Sequence, residues 1–419
     1  MGAGFFKRDD CRLCGGKNLE IAVPMPATAI ADAYVAEDKL SEPQAVYPLD
    51  LYFCRTCAHV QLLDVVDPRL MFRSNYTYLS GSSAGIIKHF REYAASVLQR
   101  EKPVPGALVI DIGSNDGTFL RNFKEAGLRV LGIDPATAIA RRATEAGIET
   151  RASFLDFKTA RDVLAEKGPA RIVTANNVFA HADDLGAMAD SIRALLAPDG
   201  LFAFEVSYVV DIVEHMLLGT MFHEHLSHHS VKPLRAFLAR HGLELVDVER
   251  VGIQGGSIIG YAQLTGGPRT VSPRVAELIK MEEDRGFDKL ETYLAFDRRI
   301  EKLKQDVGAL LDSLGPKGAG YGAARGGTAL LYRLDLGQRL EFIVDDGPEK
   351  QGFFSPGQHI PIVSADALYD RKPDWVFLLA WVHSKAILQK HQRYMDEGGR
   401  FVVAYPQVQA VASPAPKPA

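Results

Sequence analysis

Residues 107–135 read ALVIDIGSNDGTFLRNFKEAGLRVLGIDP, and the alternation inside this stretch decides the fold class. ALVIDIG (107–113) is a buried strand, and TFLRNFKEAG (118–127) is a helix closed by Gly127. RVLGIDP (129–135) is a second strand, followed by a helix over 136–146 that ends at Gly147. RIVTANNV (171–178), a helix around 185–196 and LFAFEVSYV (201–209) continue the pattern. Such strand–helix alternation predicts an α/β fold on a doubly wound parallel sheet. A helix near 231–241 follows, then the strands LELVDVERV and GSIIGYAQL. Gly255 and Gly256 between those two strands predict an antiparallel hairpin at the sheet edge.

The loop after the first strand runs Asp111-Ile112-Gly113-Ser114-Asn115-Asp116-Gly117. Its glycines admit a ligand close to the backbone at the carboxyl end of the strand. The next strand ends in Asp134, a suitable acceptor for both hydroxyls of a ribose. This is not a GxGxxG pyrophosphate clamp, because its acidic side chains repel a diphosphate. Asp111 or Asp116 suits a cation, which favours S-adenosylmethionine, with its positive amine and sulfonium, over NAD. The plain alternative is a glycine-rich turn carrying an exposed aspartate.

The whole chain has 419 residues, 47% hydrophobic and 24% charged, with a net charge of −4. At about 100–200 residues per domain this length implies two to four domains. No stretch approaches the roughly 20 apolar residues of a membrane span, and the N-terminal MGAGFFKRDDC has no apolar signal core. A cytoplasmic enzyme without a membrane anchor is therefore expected. The acidic balance argues against a nucleic-acid binder.

All four cysteines lie near the N-terminus, as Cys11-x-x-Cys14 and Cys54-x-x-Cys57. Two such turns supply the four thiolates of a tetrahedral zinc site with no open position for substrate. The gap between the pairs is longer than in a compact ribbon, so the intervening segment must loop out and return. Unpaired structural thiols or a redox CxxC are the competing readings.

Two polar clusters follow strands of the sheet. One is Asn176-Asn177-Val178-Phe179-Ala180-His181; the other is Phe222-His223-Glu224-His225, with His228 and His229 beyond. Six of the twelve histidines lie between 215 and 241. The spacing does not match HExxH, so a second metal site is unsupported. Glu224 and His225 opposite His181 form a candidate acid–base set: a neutral imidazole is a suitable carbon-acid base near pH 7, and a carboxylate can orient it. Upstream, Asn75-Tyr76-Thr77-Tyr78-Leu79-Ser80-Gly81-Ser82-Ser83 either covers the methionyl end of the cofactor, with Tyr78 and Ser83 as contacts, or is a hydroxyl-rich linker.

Residues 272–314 read as packing helices interrupted at Gly286, and a second, smaller α/β unit follows. In it GAGYGAARGGTALL (318–331) sends a glycine loop into a helix, an anion site made of backbone N–H groups and Arg325. Asp345 and Asp346 lie a little over 20 residues on, which brings NAD into consideration; a substrate phosphate is the favoured reading, with Tyr321, Arg325, Gly326 and Asp345 as contacts. A glycine turn with no ligand is the alternative. The tail VASPAPKPA is expected to be disordered.

Taken in order, the two CxxC pairs, Y-x-Y-x-S-G-S-S, D-I-G-S-N-D-G, A-N-N-x-x-x-H, H-E-H, G-Y-G-A-A-R-G and P-G-x-x-I-P-I resemble the bacterial nucleotide-sugar C-methyltransferases. These enzymes carry out, for example, 3-C-methylation of dTDP-4-keto-deoxysugars in antibiotic and O-antigen pathways. The resemblance spans nearly the whole chain. It implies a zinc module (1–75), a class I methyltransferase domain (76–267), a helical bridge with a Rossmann-like α/β substrate domain (268–409) and a disordered tail (410–419). It places the nucleotide sugar in the cleft between the last two domains. Carried over by position, it implies His225 as the base with Glu224 adjacent, His181 and Tyr76 near the reacting carbon, and Asn177 near cofactor or sugar. Asn176 would join the cofactor contacts, and Phe222 and His223 would meet the substrate. Many relatives have Tyr where this chain has Phe222, and Phe cannot donate to an enolate oxygen. His181 or Tyr76 must then donate, or the reaction is O- or N-methylation. An NAD-linked sugar oxidoreductase and a non-enzymatic binding protein are the remaining rivals; a monomer or small homo-oligomer is expected.

Overall fold

The structure, a computed structural model, describes residues 4–72 and 78–413. The chain divides into two compact units whose membership does not follow the linear order of the motifs. Unit 1 comprises residues 1–20, 52–211 and 224–290; unit 2 comprises 21–51, 212–223 and 291–419.

Unit 1 begins with the cysteine turns. Strands β1 (Leu19–Val23), β2 (Leu51–Cys54) and β3 (Val60–Leu62) lie side by side, with β2 in the middle. Helix α1 (Ala84–Glu101) leads into the main sheet, and the Ser83 hydroxyl caps it by accepting the Ile86 N–H at 3.4 Å. The sheet elements are β4 (Leu108–Ile112), α2 (Thr118–Glu125), β5 (Arg129–Ile133), α3 (Thr137–Glu145), β6 (Thr150–Arg151), α4 (Phe157–Lys167), β7 (Ala170–Asn176), α5 (Leu185–Leu195) and β8 (Leu196–Ser207). A two-residue strand β9 (Ser227–His228), helix α6 (Val231–Arg240), β10 (Leu243–Val251), β11 (Ser257–Leu264) and α7 (Pro273–Asp284) complete it.

The strand order is β6-β5-β4-β7-β8-β11-β10. The first five strands are parallel, and β11 runs antiparallel between β8 and β10. The expected hairpin is thus present, with its second strand inserted beside β8. β4 is buried at all five positions, as befits a central parallel strand covered on both faces. One layer of core packs Phe90 and Tyr93 of α1 against Phe119 of α2 at centroid distances of 4.9 and 5.1 Å. Phe119 meets Phe123 edge-on at 5.2 Å, a geometry that suits the ring quadrupoles.

Unit 2 holds α8 (Leu290–Leu314), whose first residue still counts with unit 1. Its sheet elements are β12 (Gly318–Tyr321), α9 (Arg325–Arg333), β13 (Leu340–Val344), β14 (Ile362–Val363), β15 (Trp375–Leu378), β16 (Phe401–Val403) and β17 (Gln409–Val411). The order β14-β13-β12-β15-β16-β17 is parallel except for the last pair. β17 corrects the expectation of a disordered tail from 410. Its Ala410 and Val411 pair with Val402 and Phe401 and supply hydrogen-bond partners to what would otherwise be an open edge. Residues 414–419 lie outside the described ones. Among the described residues no helix is long and apolar enough to cross a membrane.

Phe119 is 1% exposed and Phe157 62% exposed. Phe119→Ala is expected to cost about 3–5 kcal/mol in urea denaturation, the usual loss for a buried ring. Phe157→Ala should change stability by less than about 0.5 kcal/mol.

Candidate active site

The two cysteine turns converge. Their four sulfurs lie within 4.8 Å of one another, with Cys11 and Cys57 3.7 Å apart and Cys14 and Cys54 3.5 Å apart. Four sulfurs at the usual Zn–S distance of about 2.3 Å would stand about 3.8 Å apart in a regular tetrahedron, so the cage fits zinc. The Gly16 N–H donates to the Cys14 sulfur at 3.3 Å, as expected for a thiolate turn.

The loop after β4 gathers the second set of candidates. Asp111 is 3% exposed and accepts the Thr174 hydroxyl at 2.6 Å, with the Asn176 amide at 3.5 Å. Burial pushes its carboxyl up to about 7, against the opposing Thr174 hydrogen bond. Asp134 accepts the backbone N–H groups of Asn115 and Ala136 at 2.9 and 2.8 Å, and burial raises it too. Ser114 Oγ and Asn176 Oδ1 are buried without a hydrogen-bond partner. Two buried carboxyls and two orphaned polar atoms at the carboxyl ends of neighbouring strands suit a cationic, hydroxyl-bearing ligand. At Gly113 (φ +68°) an added Cβ would stand 2.2 Å from the Val178 side chain, so only glycine lets the two loops meet.

Other members of this set act through the protein. Asn115 (φ +51°) accepts the Ser80 N–H and donates to the Tyr78 carbonyl, both at 2.9 Å. Asp116 accepts the Gly81 N–H at 2.9 Å and the Thr118 hydroxyl at 2.7 Å. The side chains of Asn115, Asp116 and Ser83, expected to face the cofactor, therefore fasten residues 78–83 to the loop and cap helices. Short polar side chains at a turn readily satisfy nearby backbone donors this way. Gly117 (φ +77°) opens α2. Tyr76 lies outside the described residues.

The acid–base candidates come together. His181 and His225 stack with centroids 5.1 Å apart and planes inclined by 20°, and Phe72 also stacks with His181 at 5.8 Å. Both imidazoles are partly exposed and Glu224 is buried. Their approach is fixed by main-chain bonds. β9 pairs antiparallel with β3, Ser227 opposite Gln61 and His228 opposite Val60. The Leu62 N–H donates to the Leu226 carbonyl at 3.0 Å, and the Ser227 N–H donates to the Ala180 carbonyl at 3.1 Å. The segment carrying His225 thus runs into a strand of the cysteine module's sheet and is also tied to the turn carrying His181.

The neighbouring histidines serve packing. His228 and His229 are buried, and burial pushes them down to about 3 and about 4, so both are neutral. His229 stacks on Phe179 at 5.9 Å. His223, an expected substrate contact, is 1% exposed in unit 2; it stands edge-on to Tyr47 and bonds its carbonyl at 3.2 Å, with burial holding it down to about 4.

A pair absent from the sequence reading lies beside these loops. The Asn177 amide donates to Glu205 Oε1 at 3.2 Å, and its main-chain N–H donates to the Glu205 carbonyl at 2.8 Å. The other Glu205 oxygen contacts His89 Nε2. Burial alone would lower His89, but the hydrogen bond and charge of Glu205 leave it raised. The residues of this contact stand 116 positions apart, and no local pattern announces them.

In unit 2 the glycine–arginine loop meets protein groups. Arg325 Nε pairs with Asp32 at 2.5 Å, and Asp32 Oδ1 accepts the Tyr34 hydroxyl at 3.0 Å. Asp345 accepts the Ala323 and Gly347 N–H groups at 2.7 and 2.8 Å. A Cβ on Gly326 would stand 2.5 Å from the Gly219 carbonyl oxygen. The Tyr321 hydroxyl donates to Asp346 at 2.9 Å and lies 2.8 Å from His391 Nε2. The loop is thus held by the protein's own groups: Arg325 pairs with Asp32, and Gly326 allows close backbone packing.

Three family models match in order along the chain. They are described as "Putative zinc binding domain" over residues 11–72, "Methyltransferase domain" over 87–248 and "C-methyltransferase C-terminal domain" over 252–406. The chain is similar to the C-methyltransferase NovU of Streptomyces niveus, 34% identical over 409 residues that cover 97% of each protein. It is also similar to a ubiquinone biosynthesis O-methyltransferase of Rhodopseudomonas palustris, 34% identical over 98 residues, covering 23% of this chain and 38% of that protein. Among solved structures, the magnesium protoporphyrin IX methyltransferase of Synechocystis with bound SAH matches at 19% identity and a TM-score of 0.33. That match covers 42% of this chain and 84% of the other.

Elemental analysis should find one zinc per chain, and Cys54→Ser should reduce it to below about one-fifth of that content. A second expectation concerns Asp111 in the ligand-free protein. Its folded value near 7 exceeds the unfolded value of about 3.9. Its contribution to stability is therefore complete below about pH 4 and is lost as pH rises toward 7. Asp111→Asn should raise the melting temperature at pH 8 and leave it nearly unchanged at pH 4.5.

Proposed function

The chain belongs to the C-methyltransferases, enzymes that use S-adenosylmethionine and carry a zinc-binding module, and from that premise we propose that its acceptor is a nucleotide-linked keto-deoxysugar, dTDP being the favoured nucleotide. The methylated carbon is the one beside the keto group. The observation that carries this reading is the stacked His181–His225 pair at 5.1 Å, partly exposed among buried histidines. A keto group acidifies its neighbouring C–H, and a neutral imidazole is suited to remove that proton.

His225 acts as the base, with Glu224 beside it in the chain. His181, held parallel to it, donates to the oxygen on which negative charge develops, a role the Phe222 ring cannot fill. S-adenosylmethionine, when bound, supplies an electrophilic methyl group on a sulfonium. Asp111 offers a carboxylate to its positive end, and Asp134 two oxygens to its ribose. Ionised Asp111 is favoured by a bound cation, so cofactor binding near pH 7 should release a proton. The chain's main contribution is alignment of carbon and methyl by loops that the main chain holds rigidly.

Unit 2 is assigned to the nucleotide. For Arg325 to meet a phosphate it must exchange Asp32 for that anion. The cysteines, held as metal-bound thiolates, fit a reducing cytoplasmic setting.

His225→Asn is expected to slow solvent-deuterium exchange at the α-carbon of a dTDP-4-keto-6-deoxyhexose by two to four orders of magnitude, the usual worth of a general base. Proton NMR reads the exchange without requiring methyl transfer. Unchanged exchange and turnover would remove the base assignment. Methyl transfer to the same sugar with no α-proton exchange would point instead to O- or N-methylation.

A further inference from the structure

Between the cysteines of the first zinc turn stands a residue that the metal does not use. The Arg12 side chain is fully buried, and its Nε donates to Asp183 Oδ1 at 3.2 Å. Its Nη1 donates to the Leu62 carbonyl, to Gln61 Oε1 at 3.2 Å and to the Leu226 carbonyl at 3.3 Å. Gln61 Oε1 also accepts the Arg12 main-chain N–H at 3.0 Å, which fixes the base of the side chain. Arg8 adds a second cation to Asp183 at 3.1 Å and donates to its carbonyl at 3.3 Å.

Asp183 follows His181 by two residues, and Leu226 follows His225 by one. One guanidinium therefore joins the zinc turn, strand β3 and both segments that carry the stacked imidazoles. Its shape matters: a planar fork serves a carboxylate on one edge and carbonyls on another, which an ammonium cannot do. Nη2 is buried with no partner. A buried guanidinium left partly unsatisfied is a poor choice for stability alone, since an apolar side chain of similar volume avoids the desolvation cost.

We propose that Arg12 is a positioning residue for methyl transfer, setting the separation of His181 and His225 from within the zinc turn. The proposal rests on the acid–base reading of that pair. A base displaced by about 1 Å loses on the order of a hundredfold in rate, so a clamp on both segments acts on turnover and much less on ligand binding.

The test uses the full-length zinc-loaded enzyme with dTDP-4-keto-6-deoxyhexose and S-adenosylhomocysteine as probes. Arg12→Met is expected to keep one zinc per chain and to bind S-adenosylhomocysteine within twofold of the unaltered enzyme. The maximal rate of α-carbon deuterium exchange should fall at least tenfold, with the KM for the sugar nucleotide changed less than threefold. The carbon–proton ring signals of 13C-labelled His181 and His225 should shift. An exchange rate within twofold of the unaltered enzyme, with zinc and ligand binding intact, overturns the proposal. If Arg12→Met loses zinc or aggregates, Asp183→Asn decides: it lies outside the metal turn, and at least a threefold loss of exchange supports the clamp while unchanged exchange overturns it. His225→Asn run in parallel separates the two assignments. Exchange retained there removes the acid–base reading itself. Exchange lost there but retained in both clamp variants removes only the role of Arg12.

Discussion

Two main-chain hydrogen bonds at Leu226 and Ser227 hold together the segments that carry His181 and His225. Through one, the strand after His225 becomes part of the cysteine module's sheet; through the other, it is tied to the turn before His181. Backbone pairing sets register in whole residues, and a slip of one would turn Ser227 and His228 to the opposite faces. The segment that carries His225 is thus placed by the sheet it runs into. The metal, in turn, fixes the end of that sheet, because Cys54 closes β2 beside β3. A zinc cage with no open coordination position thus still reaches the segment that carries His225, through the strand it organises.

Electrostatics divide the histidines of this region into two kinds. His228 and His229 have lost their hydration to the core, and the lowered values that follow keep them uncharged across the physiological range. Aromatic neighbours then pack against them as against any flat ring. His181 and His225 are partly exposed instead. The acidic pocket is organised the opposite way: Asp111 is dehydrated and held near neutrality until a positive partner arrives. A carboxyl of this kind favours a cation over water, and it disfavours the phosphates of a dinucleotide.

The sheet, its edge hairpin, the metal ligands and the ends of β4 and β5 were legible in the sequence, because each rests on periodicity or on residues a few positions apart. The set of Glu224 and His225 opposite His181 came from their places after strands of the sheet, and His225 as the base from resemblance; the stacking of the two rings had no sign in the sequence. That His223, His228 and His229 are buried while His181 and His225 are partly exposed is a property of the folded chain. Asn115, Asp116 and Ser83 carry the polar atoms expected around a cofactor, yet adjoining main-chain donors claim them first. Long-range pairs such as His89–Glu205 and Arg12–Asp183 leave no local mark. The Arg325–Asp32 pair, 293 residues apart, is another of this kind.

The cysteine pairs flank a segment, residues 21–51, that belongs to unit 2, and residues 212–223 make a second such excursion. The chain therefore crosses between units at 20/21, 51/52, 211/212, 223/224 and 290/291. No single cut releases either unit whole. A lineage that recombines genes at one junction cannot trade one unit while keeping the other, as it could with units strung end to end.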